Sequence, residues 1–258
     1  MTLKIKKYSM NSNVLAGTTL KDKNQPEMNN MALHTCQQAD VVLENRRQLA
    51  HVLDVPLSNF VCANQTHSAN FYRVTNEDTG RGTQDLDTAI QDTDALYSYE
   101  PNILLCSFTA DCVPVMFYHE TNGLIGVIHS GWQGTIKEIT LKLFQHLKTE
   151  EKCQLDKVHV QIGMALSQEK FEVDDDVYTK FKDLGYADEF MYFKPVTNKY
   201  HIDNQLVVKK QCELAGIPTD QISVDRTCTF VNEEGFSYRQ DKKCGRHLSF
   251  IKFYDEDK

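Results

Sequence analysis

The sequence predicts an α+β fold, a single domain of packed mixed β-sheets with α-helices on the outside. Short apolar runs punctuated by Gly, Pro, Asn and Asp recur along the chain and read as strands. A few longer stretches carry apolar residues on one face at helical spacing. Within 258 residues there is no internal repeat and no linker composition, so residues 1–258 read as one domain with a sizeable core.

Taken in order, residues 3–8 form a short strand, followed by polar loop through Gly17 to Pro26. A helix spans residues 36–53, with Ala39, Val42, Leu43, Leu49, Ala50 and Leu53 at helical spacing and Asn45 and Arg46 in its middle. A solvated polar face suits Arg46 as well as a functional role does. Residues 59–67 read as a strand ending in the polar Asn64-Gln65-Thr66-His67, and residues 71–74 as a second, short strand. The stretch 76–92, rich in Asp, Thr and Gly and without periodicity, is expected to be a mobile surface loop; it could serve as a lid, though nothing in the sequence places it near a site. Strands at 94–97 and 103–108 follow, the latter running into the central segment of the chain.

That segment joins Phe108-Thr109-Ala110-Asp111-Cys112-Val113-Pro114 to Gly126-Val127-Ile128-His129-Ser130-Gly131-Trp132-Gln133-Gly134-Thr135. Read as strand, turn and strand, it carries a cysteine and a histidine toward each other. A two-residue Asn122-Gly123 turn would put His129 opposite Met116 and leave Cys112 about 13 Å further along, too far to share an ion. A loop of about five residues, 119–123, pairs Tyr118 with Leu124 and sets Cys112 opposite Ser130; a site therefore requires the longer loop or a bulge. Pro114 cannot donate to a ladder, so the strand is free to bend there.

After Trp132, residues Ile136, Ile139, Leu143, Phe144 and Leu147 mark one helix face. Residues 158–163 return as a strand, and Asp174-Asp175-Asp176 opens a short helix to Leu184. A strand at 199–202 leads to a helix at 203–215 ended by Gly216, and strands at 222–224 and 247–251 close the chain.

The formal net charge of −8, with no basic cluster, argues against nucleic acid as a partner. Without a run of eighteen apolar residues no membrane span is expected, and the first residues lack the apolar core of a signal peptide. A cytoplasmic protein with eight reduced, widely spaced cysteines is the expectation.

Of nine histidines, His67 and His129 stand out because both end apolar strands beside small residues, Ser68-Ala69 and Ser130-Gly131. With Cys112 they make a His/Cys/His set, the number of protein ligands a catalytic zinc uses, with a fourth position for water. A buried, inert Cys112 explains the same spacing. Asp111 and Asp94 could each accept a proton, orient a histidine or merely cap a turn. Residues 131–135, at a helix N-terminus, could cradle an anion. Phe236-Ser237-Tyr238-Arg239 joins aromatic rings to a guanidinium, which suits a stacked base and an oxyanion, or an edge strand with a surface arginine.

Gln65-Thr66-His67, Thr109 to Pro114, His129-Ser130-Gly131-Trp132-Gln133-Gly134 and Cys228-Thr229 with Phe236-Ser237-Tyr238-Arg239 resemble, in order and spacing, the signature blocks of the YfiH/YlmD family. This group is also called multicopper polyphenol oxidase or laccase-domain proteins and includes mammalian FAMIN. Glu44-Asn45-Arg46 and Asp94-Ala95 fit two lesser blocks, so the resemblance covers nearly the whole chain. It implies one α+β domain in α/β/β/α layers, with zinc on His67, Cys112 and His129, and copper as the alternative metal. The implied activity is phosphorolysis of adenosine, inosine and methylthioadenosine together with adenosine deamination, in a monomer or weak homo-oligomer whose partners are purine nucleosides and phosphate. His67, Asp111, Cys112 and His129 are then the catalytic residues. Asn45, Arg46, Gln65, Gly131, Gly134, Phe236, Tyr238 and Arg239 are the expected substrate-binding residues; as a mechanistic hypothesis of our own, Arg46, Arg239 and the amides of residues 131–134 are candidates for phosphate and Phe236 or Tyr238 packs against the base.

The chain departs from the family pattern at Gly163-Met164-Ala165-Leu166-Ser167, which lacks the usual proline and paired cysteines, and at Gln133 and Gln240, where arginines are usual. The last two remove positive charge where a phosphate would sit. Multicopper oxidation needs about ten histidines, mostly as His-x-His by that resemblance; nine histidines with no such pair exclude it. Dye oxidation by copper bound at the one site stays open, as does a cysteine hydrolase with Cys112 as nucleophile and His129 as base, for example in editing of cell-wall precursors. A module that binds a nucleoside without turning it over is the remaining alternative.

Overall fold

A computed structural model describes residues 3–254. In chain order its strands and helices are β1 (Ile5–Lys7), β2 (Val14–Thr19), α1 (Ala39–Leu53), β3 (Phe60–Val61), β4 (Phe71–Arg73), β5 (Ala95–Ser98), β6 (Leu104–Thr109), β7 (Val113–His119) and β8 (Ile125–Ser130). They continue as α2 (Trp132–Ile136), α3 (Ile139–Thr149), β9 (Val158–Ile162), β10 (Glu172–Val173), α4 (Asp175–Lys182), β11 (Met191–Lys194), β12 (Lys199–Ile202), α5 (Asn204–Ala215), β13 (Ile222–Val224) and β14 (His247–Phe253).

One sheet runs β1-β2-β14-β6-β3 and a second β13-β9-β7-β8-β5-β4; both are mixed, with parallel pairs at β3–β6, β4–β5 and β9–β13. Between them Val61, Leu105 and Ile251 of the first meet Met116, Ile125 and Val127 of the second. Helix α1 covers the outside of the first sheet through Leu49, Ala50 and Leu53, and α3 and α5 cover the outside of the second through Leu143, Phe144, Val208 and Cys212. The layers are therefore α/β/β/α, as the family resemblance implies, and the packed mixed sheets with outer helices are those the residue pattern predicts. Each such side chain, fully withdrawn from water, contributes about 1.5–3 kcal/mol. A small third sheet, β10-β12-β11, packs with α4 and the start of α5 around Phe171, Phe181, Ile202 and Val207.

The β7–β8 hairpin settles the question of reach. Val113 pairs with Ser130, Pro114 with His129 and Tyr118 with Ile125, while the His119 amide donates to the Leu124 carbonyl at 2.9 Å. The short Asn122-Gly123 turn does not form. A four-residue loop, 120–123, takes its place, with Gly123 in the left-handed region (φ 77°). The register lies one residue from the expected longer loop, and Cys112 stands just beyond the last pair rather than opposite Ser130. Opposite each other inside the hairpin, Phe117 lies flat on Gly126, where an added Cβ would come within 2.1 Å of the ring.

Three expectations are corrected. Residues 14–19, read as loop, are a strand inside the first sheet; Gly and two Thr hide a pattern that pairing with β1 and β14 completes. The single helix through Ile136 and Leu147 is two, broken at Glu138 (φ 61°), because Ile136 packs toward the small sheet while Ile139, Leu143, Phe144 and Leu147 pack on the large one. The 76–92 stretch is hydrogen-bonded rather than free: the Cys62 amide donates to Arg81, the Ile90 amide to Cys62, and the Gly80 amide to Phe60. Of the two readings of residues 236–239, the edge strand does not form: Phe236 and Ser237 are irregular and a turn begins at Tyr238. All eight cysteines are free thiols.

His247, fully buried at the start of β14, ties this segment to the first sheet. Its Nδ1–H donates to the Thr19 carbonyl at 2.6 Å and its Nε2 accepts the Phe236 amide at 2.7 Å, so the ring must be neutral. Burial lowers its pKa from 6.5 to about 4. A folded-state pKa below the unfolded one means stability that is present above pH 6.5 and lost as pH falls toward 4. At about 1.4 kcal/mol per unit this is about 3 kcal/mol. We expect urea midpoints of wild type and His247→Gln to be well separated at pH 7.5 and to converge between pH 6.5 and 4; a gap independent of pH would refute the neutral latch.

Candidate active site

His67 follows β3 and its bridge at Ala63, Cys112 sits between β6 and β7, and His129 lies in β8. Folding brings one ligand atom of each within 4.8 Å of the others, the one such group of three His, Cys, Asp or Glu residues among the described residues. The Cys112 Sγ lies 3.9 Å from His67 Nε2, and the two imidazole rings meet edge-on with centroids 4.8 Å apart. Two non-glycine residues of the cluster's loops adopt left-handed backbone, His67 (φ 59°) and Asp111 (φ 82°). Such conformations persist where surrounding bonds over-determine them.

Around His67 those bonds come from Asp94. Its carboxylate accepts the successive amides of Thr66 (3.2 Å), His67 (3.1 Å) and Ser68 (2.7 Å), the Ser68 hydroxyl (2.6 Å), and the Nδ1–H of His129 (2.8 Å). One buried carboxylate thus positions the backbone of one histidine and the ring of the other. Burial opposes its charge, but the bonds from His129 and Ser68 outweigh that and lower its pKa to about 2. Burial also opposes the Cys112 thiolate, yet the charge and hydrogen bonds of His129, and those of His67, lower the thiol to about 6. Against the same burial, Cys112 and Asp94 raise His129 to about 9. Both shifts favour the thiolate of Cys112 beside the imidazolium of His129.

These donors fit a zinc ion by their chemistry. Two imidazole nitrogens and a thiolate converge, and one imidazole is oriented by a carboxylate on its far nitrogen, the usual support of a ligating histidine. Gly131 supplies the room. A Cβ there would lie 2.8 Å from His67 Cδ2 and 2.9 Å from Cys112 Sγ, so a side chain at 131 would press on two of the three donors.

Two cavities of about 500 Å³ and 510 Å³ open on the cluster and share His67, Ala110, Cys112 and Tyr238. The first has aromatic walls, Trp132, Phe171 and Tyr238, and carries Asp111, Glu172, Asp174 and Asp176 with Arg239. No aspartate or glutamate lines the second, which carries Arg46, Arg246, His34 and His129.

The predicted residues divide accordingly. Tyr238 lines both cavities, Arg239 the first, and Arg46 and Gln65 the second. Gln65 is fully engaged, its amide bonded to both the carbonyl and the N–H of Phe108. Asp111 lines the first cavity, but its carboxylate accepts Thr229 Oγ1, Ser237 Oγ and the Arg239 amide, which fixes the 229–239 segment over the site. Four residues, Asn45, Gly131, Gly134 and Phe236, lie off both cavities. Asn45 is buried and donates to the carbonyls of Pro26 and Asn30; Gly134 packs under the backbone of Ser68 and His129; and Phe236, 1% exposed, packs on His247, so it has no face to offer a base. The amides of residues 131–134 open a helix of five residues that is too short to hold an anion, and Gly131 serves instead as space.

Sequence reasoning assigned no role to Arg246, Thr109 or Asn204. The pairing of His247 with Thr109 and the bonds of the Arg246 backbone to Asn30 and Met31 bring Arg246 to the second cavity, and no spacing signal announces contacts that far apart in the chain.

Residues 20–254 match the family described as Multi-copper polyphenol oxidoreductase laccase. Purine nucleoside phosphorylase YlmD of Bacillus subtilis is 32% identical over 251 residues, 93% of this chain and 89% of the relative. Its namesake from Geobacillus stearothermophilus is 35% identical over 225 residues, 86% of this chain and 82% of the relative. The crystal structure of YlmD from Geobacillus stearothermophilus superposes with a TM-score of 0.89 at 32% identity, covering 95% of this chain and 93% of that one. By sequence and by fold, this chain belongs to the laccase-domain family of the YlmD and YfiH proteins.

Proposed function

We propose that the protein is a zinc-dependent purine nucleoside phosphorylase acting on adenosine, inosine and methylthioadenosine, with adenosine deamination as a second activity. The observation that carries this reading is the His67–Cys112–His129 cluster at the junction of two unlike cavities, held by Asp94. The name borne by the relatives supports it.

Phosphorolysis breaks the bond between ribose and base through an oxocarbenium-like state, so the protein must hold a nucleoside and an oxyanion on opposite sides of C1′. Trp132 and Phe171 give the first cavity apolar faces for a purine. Glu172, Asp174 and Asp176 offer acceptors for ribose hydroxyls and complement the cationic character that develops on the sugar. Tyr238, on the shared wall, is placed between the two ligands. A zinc ion on His67, Cys112 and His129 would supply Lewis-acid polarisation of a hydroxyl or water, the chemistry that deamination also requires. Copper on the same three residues is the alternative metal. A single His/Cys/His group among the described residues provides for one metal and not for a trinuclear copper cluster.

Zinc-loaded protein with inosine should release hypoxanthine and ribose 1-phosphate only when phosphate is present, and with adenosine should also yield inosine. Base release that is independent of phosphate would overturn the phosphorylase reading. The thiolate–imidazolium pair favours one competitor, a cysteine hydrolase. If no base is released, and alkylation of Cys112 abolishes an amidase activity, that reading replaces ours.

A further inference from the structure

We infer that the acid-free cavity bounded by Arg46, Arg246, His34 and Thr109 is an inorganic oxyanion site, so that phosphate and nucleoside approach the metal cluster from separate cavities. The inference rests on the phosphorylase reading for the role of the anion, though not for its binding. Arg46 is 1% exposed, yet all the partners of its guanidinium are neutral: the Met31 carbonyl at 2.8 Å, Gly82 at 2.9 Å and Thr83 at 2.7 Å. The Arg246 guanidinium likewise bonds carbonyls, those of Cys244 and Gly245. Arg47, Arg73, Arg81 and Arg226 each face a carboxylate within 4.0 Å, whereas Arg46, Arg246 and Arg239 have none among the described residues; of these three, Arg46 and Arg246 line the cavity without acids. A buried guanidinium without a counter-charge is strongly unfavourable, and an anion in the adjoining cavity removes that penalty.

Thr109 gives an independent indication. It is 2% exposed and lines the same cavity, and its hydroxyl has no hydrogen-bond partner. Buried hydroxyls are normally satisfied, so an unmatched donor on the wall of the cavity that two guanidiniums also line marks a missing acceptor. Arg239 does not compete for this role. It lies among Asp111, Glu172, Asp174 and Asp176, a field that repels a dianion.

This placement gives the reaction its direction. A phosphate oxygen held on the Arg46–Arg246 side forms the bond to C1′ as the C1′–N9 bond breaks. The bonding pair leaves with the purine into the first cavity, and the proton of monohydrogen phosphate balances the neutral base. The products are ribose 1-phosphate and free purine.

The test measures steady-state kinetics and inorganic-phosphate binding by calorimetry on zinc-loaded protein, for wild type, Arg246→Ala, Thr109→Val and Arg239→Ala. Loss of a charge-assisted contact should raise the phosphate KM and dissociation constant of Arg246→Ala about 10–100-fold, and loss of one neutral bond should raise those of Thr109→Val about three- to tenfold. Both should leave the inosine KM within about twofold, while Arg239→Ala shifts the inosine KM instead. Circular dichroism and zinc content that match wild type exclude a folding defect as the cause. If wild type consumes phosphate but Arg246→Ala and Thr109→Val keep its phosphate KM, or if Arg239→Ala alone raises it, the anion site is misplaced while the phosphorylase reading stands. If wild type binds phosphate through Arg246 but consumes no nucleoside, the site stands and the phosphorylase reading fails.

Discussion

Cys112→Ala should lose bound zinc and phosphate-dependent release of hypoxanthine from inosine together, with the rate falling by about 10³-fold or more. Cys112 supplies the only sulfur of the three-residue cluster, and its thiol is already lowered to about 6 by His129 and His67, so it offers a metal a ligand in its ionised form near neutral pH. Removing it leaves two imidazoles, one of them tied to Asp94, and no anionic donor to hold a divalent cation in place. His129→Ala should behave in the same way. Arg239→Ala, which touches the cavity wall but not the cluster, should keep its zinc. Zinc content by atomic absorption and initial rates on the same samples decide the matter. Full phosphate-dependent activity in Cys112→Ala would show that the reaction centre lies elsewhere in the fold.

Asp94→Ala is expected to cause the largest loss of stability of any single change near the site. Five donors converge on this carboxylate, three of them backbone amides of Thr66, His67 and Ser68 that have no alternative acceptor once it is gone. Leaving buried donors and the His129 imidazole unmatched should cost about 2–5 kcal/mol, which lowers the melting temperature by about 5–15 °C in a chain of this size. Zinc affinity should fall about 10–100-fold, because His129 loses its orienting partner and the left-handed turn at His67 loses its anchor. Asp94→Asn tests the same point more gently: it keeps an acceptor but turns an NH₂ group toward amides that also donate. The pH dependence has a defined sign. The folded-state pKa, about 2, lies below the usual 3.8, so the carboxylate's contribution is present above pH 3.8 and disappears as pH falls toward 2. Melting within about 1 °C of wild type, with unchanged zinc affinity, would mean that Asp94 does not organise the site.

Residue types and local spacing carried much of this in the chain itself. The apolar runs placed most strands, the helical face of residues 139–147 and the cap pair Asp203 and Gly216 placed two helices, and His67 and His129 stood out by type and small neighbours, while the family resemblance and not the spacing joined Cys112 to them as a candidate ligand set. Such features depend on a few adjacent residues, so they are legible without the fold. The tertiary structure decided what depends on register and on long-range pairing. The four-residue loop at 120–123 sets His129 opposite Pro114 and not Met116, and that shift in register put Cys112 within reach of the histidines. Residues 14–19 became a strand only because β1 and β14 flank them. Asp94 became the hub of both histidines through a left-handed turn at His67 that no periodicity encodes. The division of Arg46 and Arg239 between an acid-free and an acid-rich cavity arises from side chains hundreds of residues apart meeting across two sheets. Charge and cavity shape are sums over the whole fold, and a sum of that kind has no local signature in the sequence.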